Sequence, residues 1–195
     1  MSRHAADNAR YTVSVCTTLT PEQRELFETL ERAAFQSSTL SAEQQQANDD
    51  RFCSGADTVG YVLAFAGQQL VGAVQLSQRA IDFHGQTVQL GGLGGVATDA
   101  EWRGRGIASA TTAAAMDRLR ELGCDVAYLC TNIEKLAHLY GQVGFVPLGR
   151  AHTYLGVSGE RYTDDDGMVA PVNSSDLLAA ILVDDQPFDI GRGNW

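Results

Sequence analysis

The chain has 195 residues, 44% hydrophobic and 19% charged, with a net charge of −10. That length suits one domain, residues 1–195, with a core of its own, and the composition excludes wholesale disorder. The acid excess excludes nucleic acid as a partner, no apolar run is long enough to span a membrane, and the start "MSRHAADNAR" lacks a leader's apolar stretch, so the expectation is cytoplasmic.

In chain order, "YTVSVC" reads as a first strand and "TPEQRELFETLERAAF" as a helix, with Thr20 as N-cap, Gln23 in capping-box position, and Leu26, Phe27, Leu30 and Ala34 on one face. "SAEQQQANDDRF" reads as a second, more polar helix. "VGYVLAFAGQQLVGAVQLSQRAIDF" breaks at Gly67-Gln68-Gln69 into a hairpin, and the turn "HGQ" at 84–86 leads into "TVQLGGLGGVAT". The glycines of this third strand mark a bulge or a close approach by another backbone or a ligand. Gly104 to Leu122 carries the strongest helical stripe, with Gly123 placed to end it. "DVAYLCT" reads as a buried strand, "EKLAHLYGQVG" as a short helix, and "FVPLG" and "TYLGV" as strands. "MVAPV" and "LLAAILV" fit either a hairpin or a strand and a helix. The sum is one α/β (α+β) domain with a mixed central β-sheet flanked by helices. The four cysteines, Cys16, Cys53, Cys124 and Cys130, have no metal-ligand spacing and read as reduced, mostly buried thiols; no metal site is expected.

The stretch "EWRGRGIASA" is out of character for so acidic a chain. Cations at a helix N-terminus oppose its dipole unless an anion lies between them. The amides of Gly104, Arg105, Gly106, Ile107 and Ala108 are unpaired donors there, glycine lets a phosphate approach, and Arg103 and Arg105 add charge-assisted bonds. No Gly-Lys-Ser/Thr follows, which excludes a Walker loop, and the preceding strand comes from a meander, which excludes a dinucleotide fingerprint.

Arg103-Gly104-Arg105-Gly106-Ile107-Ala108 resembles the Arg/Gln-x-x-Gly-x-Gly/Ala signature of the GCN5-related N-acetyltransferases (GNAT). "LGGVATDAEWRGRGIASA" and "YLCTNIEKLAHLYGQVGFVPLG" resemble the flanking segments of that family, over about residues 59–150. "YTDDDGMV" and the final "FDIGRGNW" are similar to aminoglycoside 2′-N-acetyltransferases. Where that group carries acidic residues, Gly94 and Gly193 stand here.

The resemblance implies acetyl-coenzyme A as donor, its pyrophosphate on the 103–106 loop and the start of the helix through Ser109. Amides at Val96, Ala97 and Thr98 would hold the pantetheine arm and polarise the thioester, with Asn132 a second contact. Tyr140, in the "LYGQVGF" segment, would be the general acid. The general base stays open among Asp164, Asp165, Asp166, Asp189 and the carboxylate of Trp195, which are also the acceptor-side residues; His84, in a turn, and His138, on a helix, are weaker choices. Over residues 160–195 eight acidic side chains face two arginines, a balance that suits a cationic acceptor as well as simple solubility. The partner expected is therefore a small-molecule amine, an aminoglycoside first, with a homodimer as the assembly. The alternatives are another amine (a polyamine, an amino-acid derivative or a peptide N-terminus) or a non-catalytic coenzyme sensor.

Overall fold

The computed structural model describes residues 10–35, 41–52 and 55–195. The N-terminal residues 1–9 and Cys53, both considered above, lie outside the described residues.

Strand β1 (Thr12–Cys16) leads into α1 (Pro21–Phe35), opened by a reciprocal cap: the Gln23 amide donates to Thr20 Oγ1 and the Thr20 amide to Gln23 Oε1. Helix α2 (Ala42–Arg51) opens the same way, with Ser41 and Gln44. Strands β2 (Thr58–Ala66), β3 (Gln69–Phe83) and β4 (Gln86–Thr98) form the expected antiparallel meander. Both turn residues between β3 and β4, His84 and Gly85, have positive φ, the geometry of a tight two-residue hairpin. His84 is therefore a turn residue, and its Nε2 lies 3.2 Å from Asp184.

Helix α3 (Ile107–Glu121) crosses over to β5 (Val126–Cys130), which pairs parallel to β4. The helix starts three residues later than its sequence pattern implies. Gly104 and Gly106 both sit at left-handed φ, +74° and +77°, which no helical residue adopts, so 103–106 is a loop and Ala100–Trp102 a single 3-10 turn. At its other end Gly123 (φ +76°) closes a Schellman motif, the Cys124 amide bonding the Leu119 carbonyl.

Helix α4 (Ile133–Gly141), β6 (Val146–Pro147), β7 (His152–Leu155), β8 (Arg161–Asp164), β9 (Gly167–Pro171), α5 (Ser175–Val183) and β10 (Phe188–Arg192) complete the chain. "MVAPV" and "LLAAILV" are thus a strand and a helix, and β8 and β10 are strands that the sequence reading did not name. One sheet runs β1-β2-β3-β4-β5-β9-β6; a second, smaller one runs β10-β7-β8.

The large sheet is covered on both faces. Helices α3 and α4 pack on one, around Val62, Val74, Leu93, Met116, Leu119, Leu129 and Phe145. On the other, α1 covers Tyr61, Leu63, Ala73 and Ala97 with Phe27 and Leu30, while α5 and the small sheet cover Val88, Leu90 and Tyr128. Among the described residues Cys16, Cys124 and Cys130 are free thiols, with Cys124 buried. No helix of the described residues is long and apolar enough to cross a membrane.

Candidate functional site

Two interruptions of the sheet meet in the second half of β4. Pairing with β5 stops at Gly92 opposite Tyr128, although β4 runs on to Thr98 and β5 to Cys130. On the β3 side the register jumps from Gln75–Gly94 to Ala73–Ala97, so Gly95 and Val96 together face Val74. This is a bulge, and its left-handed member is Gly95 (φ +57°), where glycine carries no Cβ strain. Val96 and Thr98 are half-buried and Ala97 is buried, on a stretch whose β5-side edge has no strand partner among the described residues.

The loop beyond β4 is exposed at Arg103, Gly104, Arg105 and Gly106. No side chain caps α3. A Cβ added at Gly104 would meet nothing within 4 Å, and at Gly106 only Tyr11 Oη at 3.9 Å, so the space outside the loop is open. Arg103 Nε donates to the Thr98 carbonyl (3.4 Å); Arg105 donates to the Glu101 carbonyl (3.3 Å) and stacks 4.6 Å over Trp102. Neither arginine is ion-paired among the described residues. Two cations without ion-pair partners among the described residues, a helix N-terminus without a side-chain cap and a Cβ-free surface are the features that an anion would use. Ile107 is buried and anchors the loop, Ala108 lies in the first turn of α3, and Ser109 Oγ donates to Gln142 Oε1 at the end of α4. Beside the loop, an apolar hollow of about 340 Å³ opens between Leu26, Leu30, Leu70, Thr98 and Arg103.

Asn132, exposed, caps α4: its Oδ1 accepts from the Lys135 amide at 3.0 Å. Tyr140, 5% exposed, lies edge-on to Phe145 and shares a hydrogen bond with Thr131 at the end of β5. Burial pushes its phenol up to about 12, so the group carries its proton throughout the neutral range.

The glycines of β4 meet close neighbours. A Cβ on Gly91 would lie 2.8 Å from Leu119, and on Gly92 2.0 Å from the indole of Trp195. That indole, almost buried, carries the Arg79 guanidinium 3.9 Å above it. Arg79 also donates to the Ile190 and Gly193 carbonyls and pairs with Asp57 at 2.8 Å, fastening the last segment to β3. Nothing in the sequence pattern singles out Arg79 for this.

Two carboxylates of the acidic segment are engaged within the chain. Asp164 accepts from Tyr154 Oη and pairs with Arg51 at 3.2 Å. Asp189 pairs with Arg161 at 2.9 Å and alternates with the buried Phe188 and Ile190, so it leaves the opposite face of β10 from the core. These two carboxylates serve the chain's own arginines. Asp165 is exposed, and Asp166, whose carboxyl burial pushes up, lies 3.8 Å from the buried His152. His138 is exposed on α4, within 3.5 Å of Gln142. No group of three or more His, Cys, Asp or Glu among the described residues could hold a metal.

A carboxylate that the sequence reading passed over does approach the bulge. Glu31 Oε1 lies 3.1 Å from where a Cβ on Gly95 would stand.

The family model for the acetyltransferase (GNAT) domain matches residues 16–148. The chain belongs to the GNAT family. The domain so matched is an acetyltransferase domain. Among solved structures it is similar to the GNAT family N-acetyltransferase YhbS from Escherichia coli in complex with CoA (20% identity, TM-score 0.62, covering 97% of this chain and 93% of that one). It is also similar to the ribosomal-protein-S18-alanine N-acetyltransferase of Escherichia coli (14%, TM-score 0.54, 85% and 96%). A third is a probable N-acyltransferase from Enterococcus faecalis (23%, TM-score 0.54, 72% and 34%). At these identities the likeness is one of fold. The chain spans about a third of the length of that last structure and of two other GNAT structures, from Anabaena variabilis and Kribbella flavida. No curated protein matches it.

Proposed function

We propose that this protein moves the acetyl group of acetyl-CoA to the amine of a cationic small molecule, with aminoglycosides the first class to test. The observation that carries the donor half is the 103–106 loop: two left-handed glycines, two arginines without carboxylate partners among the described residues and a helix with no side-chain cap, directly after a β4 edge free of β5. These residues fit a pyrophosphate. The CoA bound to the Escherichia coli neighbour supports the same donor.

When bound, acetyl-CoA supplies a thioester carbonyl to the open edge of β4. The amide of Thr98, on the open side, and that of Val96, in the bulge, hold the pantetheine arm and polarise that carbonyl, while the Ala97 amide faces β3. The Asn132 NH₂ group adds a polar contact. Tyr140, protonated throughout the neutral range, hands a proton to the departing sulfur. For the acceptor, support comes from the net charge of −10 and the acid-rich last segment, which draw a polycation toward the molecule.

The test is thiol release from acetyl-CoA with tobramycin, spermidine and a short peptide as acceptors. Release with tobramycin supports the reading; release with spermidine or the peptide alone keeps the transferase and discards the aminoglycoside. Coenzyme binding without release on any amine overturns the catalytic reading in favour of a sensor.

A further inference from the structure

We propose that Glu31 is the general base of the acetyl transfer, taking a proton from the acceptor's ammonium; the inference rests on the acetyltransferase reading above. Helix α1 brings this half-buried carboxylate against Gly95, the left-handed residue of the β4 bulge and the neighbour of Val96. Its Oε1 is 3.1 Å from the position of an added Gly95 Cβ, with Phe27 Cζ at 3.6 Å and Gln75 Cβ at 4.0 Å beside it. The carboxylate therefore stands where β4 offers neither a side chain nor a β5 partner. Tyr140 belongs to the core on the other face of the sheet. Base and acid so flank the open edge from opposite sides.

Glu31 has no structural task to explain this placement. Among the described residues it makes no hydrogen bond and no ion pair, and half-burying an unpaired carboxylate costs stability. Among the described residues, the groups around it supply no positive charge. On its own helix Glu28 lies one turn back; β3 faces it with the uncharged Gln75, whose amide is held by Thr58 Oγ1; β4 faces it with glycine. Burial first, and Glu28 second, raise its pKa above the usual glutamate value. That raises its basicity toward what proton abstraction at neutral pH needs.

The step balances as follows. Glu31 takes one proton from R–NH₃⁺, and the free amine forms a C–N bond to the thioester carbonyl carbon. The C–S bond breaks, Tyr140 protonates the leaving sulfur, and the nitrogen's second proton restores Tyr140. Glu31 then releases its proton to water, so ammonium and acetyl-CoA give the N-acetyl amide, CoA thiol and one H⁺.

Glu31→Gln tests this beside wild type, with whichever of tobramycin, spermidine or the peptide wild type acetylates. The variant is expected to lose ~100-fold or more in kcat and the acidic limb of its pH profile, with acetyl-CoA affinity unchanged by calorimetry. Its thermal midpoint should rise at pH 7. A folded-state pKa above the unfolded one means that the ionised carboxylate opposes folding, so the gain should vanish as pH falls below the ordinary glutamate value of about 4.3. A kcat within about threefold of wild type, with the same acidic limb, overturns the assignment of Glu31 alone. Lost activity together with a lower midpoint and lost coenzyme binding makes Glu31 structural and also overturns it. No thiol release by wild type with any amine overturns the transferase reading, and this inference with it.

Discussion

Replacing Tyr140 by phenylalanine removes one oxygen from a side chain that is 5% exposed. The ring keeps its edge-on contact with Phe145 and its place between α4 and the sheet, so no cavity larger than a hydroxyl opens. What is lost structurally is the hydrogen bond with Thr131, worth about 1 kcal/mol, or roughly 2–4 °C in Tm for a chain of this size. The catalytic loss is of another order. A positioned general acid contributes ~10²–10⁴ in rate, which at ~1.4 kcal/mol per decade is about 3–5 kcal/mol of barrier. Because the Tyr140 phenol sits at about 12, wild type should show no alkaline limb from this group below pH 9, and the variant should be uniformly slow across the same range. The assay is thiol release at saturating acetyl-CoA and amine, with the coenzyme Kd measured separately by calorimetry. A kcat within about threefold of wild type would refute Tyr140 as the proton donor. A fall in coenzyme affinity that accounts for the whole loss would refute it equally, by making the hydroxyl a binding contact.

Gly92→Ala should be among the more damaging small substitutions in the chain. Its Cβ would lie 2.0 Å from the Trp195 indole, so ring or strand must move, at about 1–3 kcal/mol and a Tm lower by roughly 2–12 °C, with red-shifted tryptophan emission; an unchanged Tm disproves the packing of Trp195 on β4. Gly106→Val forces a β-branched residue to φ +77°, costing on the order of 1–2 kcal/mol. It should also weaken acetyl-CoA binding at least ~10-fold, and unchanged calorimetric binding removes the loop from the coenzyme site. His152 is buried between Tyr128 and Tyr154, and burial lowers its pKa against the opposing pull of Asp164 and Asp165. A lowered folded-state pKa gives stability that is present above about pH 6.5 and lost as pH falls through the folded value. His152→Gln should flatten that part of the Tm–pH curve; an unchanged slope shows that other groups set it.

What the sequence makes legible is what neighbours in the chain decide. The Thr20–Gln23 cap, the turns at Gly67 and His84-Gly85 and the glycine stop at Gly123 each depend on residues within a few positions of one another, and each forms as read, while the helix read from Gly104 starts only at Ile107. The glycines of β4 announce that something comes close without saying what. Their neighbours are Leu119, Trp195 and Glu31, distant in sequence and joined to the strand only by the tertiary fold. Strand β8 is polar and short. Strand β10 has the alternation Phe188-Asp189-Ile190, yet its partner is the parallel β7, which no hairpin signal announces. The acidic segment shows the same limit. Counting charges over residues 160–195 ignores Arg51, which lies on α2 and neutralises Asp164 across the fold.

The same geometry bears on why the proposed base stands on α1 and not on β4. A Cβ at Gly94 would already touch Trp195 at 3.6 Å, so any side chain longer than alanine there has to turn past that residue. At Gly95 a side chain would face the left-handed backbone of the bulge, and it would meet Glu31 at 3.1 Å. With Trp195 on one side and the bulge on the other, Gly94 and Gly95 are crowded positions from which to project a carboxylate into the gap. From α1 a glutamate needs no left-handed backbone, and the space it enters is the space that Gly95 leaves free. The glycines at 94 and 95 and the glutamate at 31 thus read as one arrangement, in which Gly95→Ala and Glu31→Gln should act on the same quantity. The alanine Cβ crowds Oε1 and should lower kcat by displacing the carboxylate, and the double variant should be little slower than Glu31→Gln alone. Multiplicative losses in that cycle would show that Gly95 and Glu31 act separately.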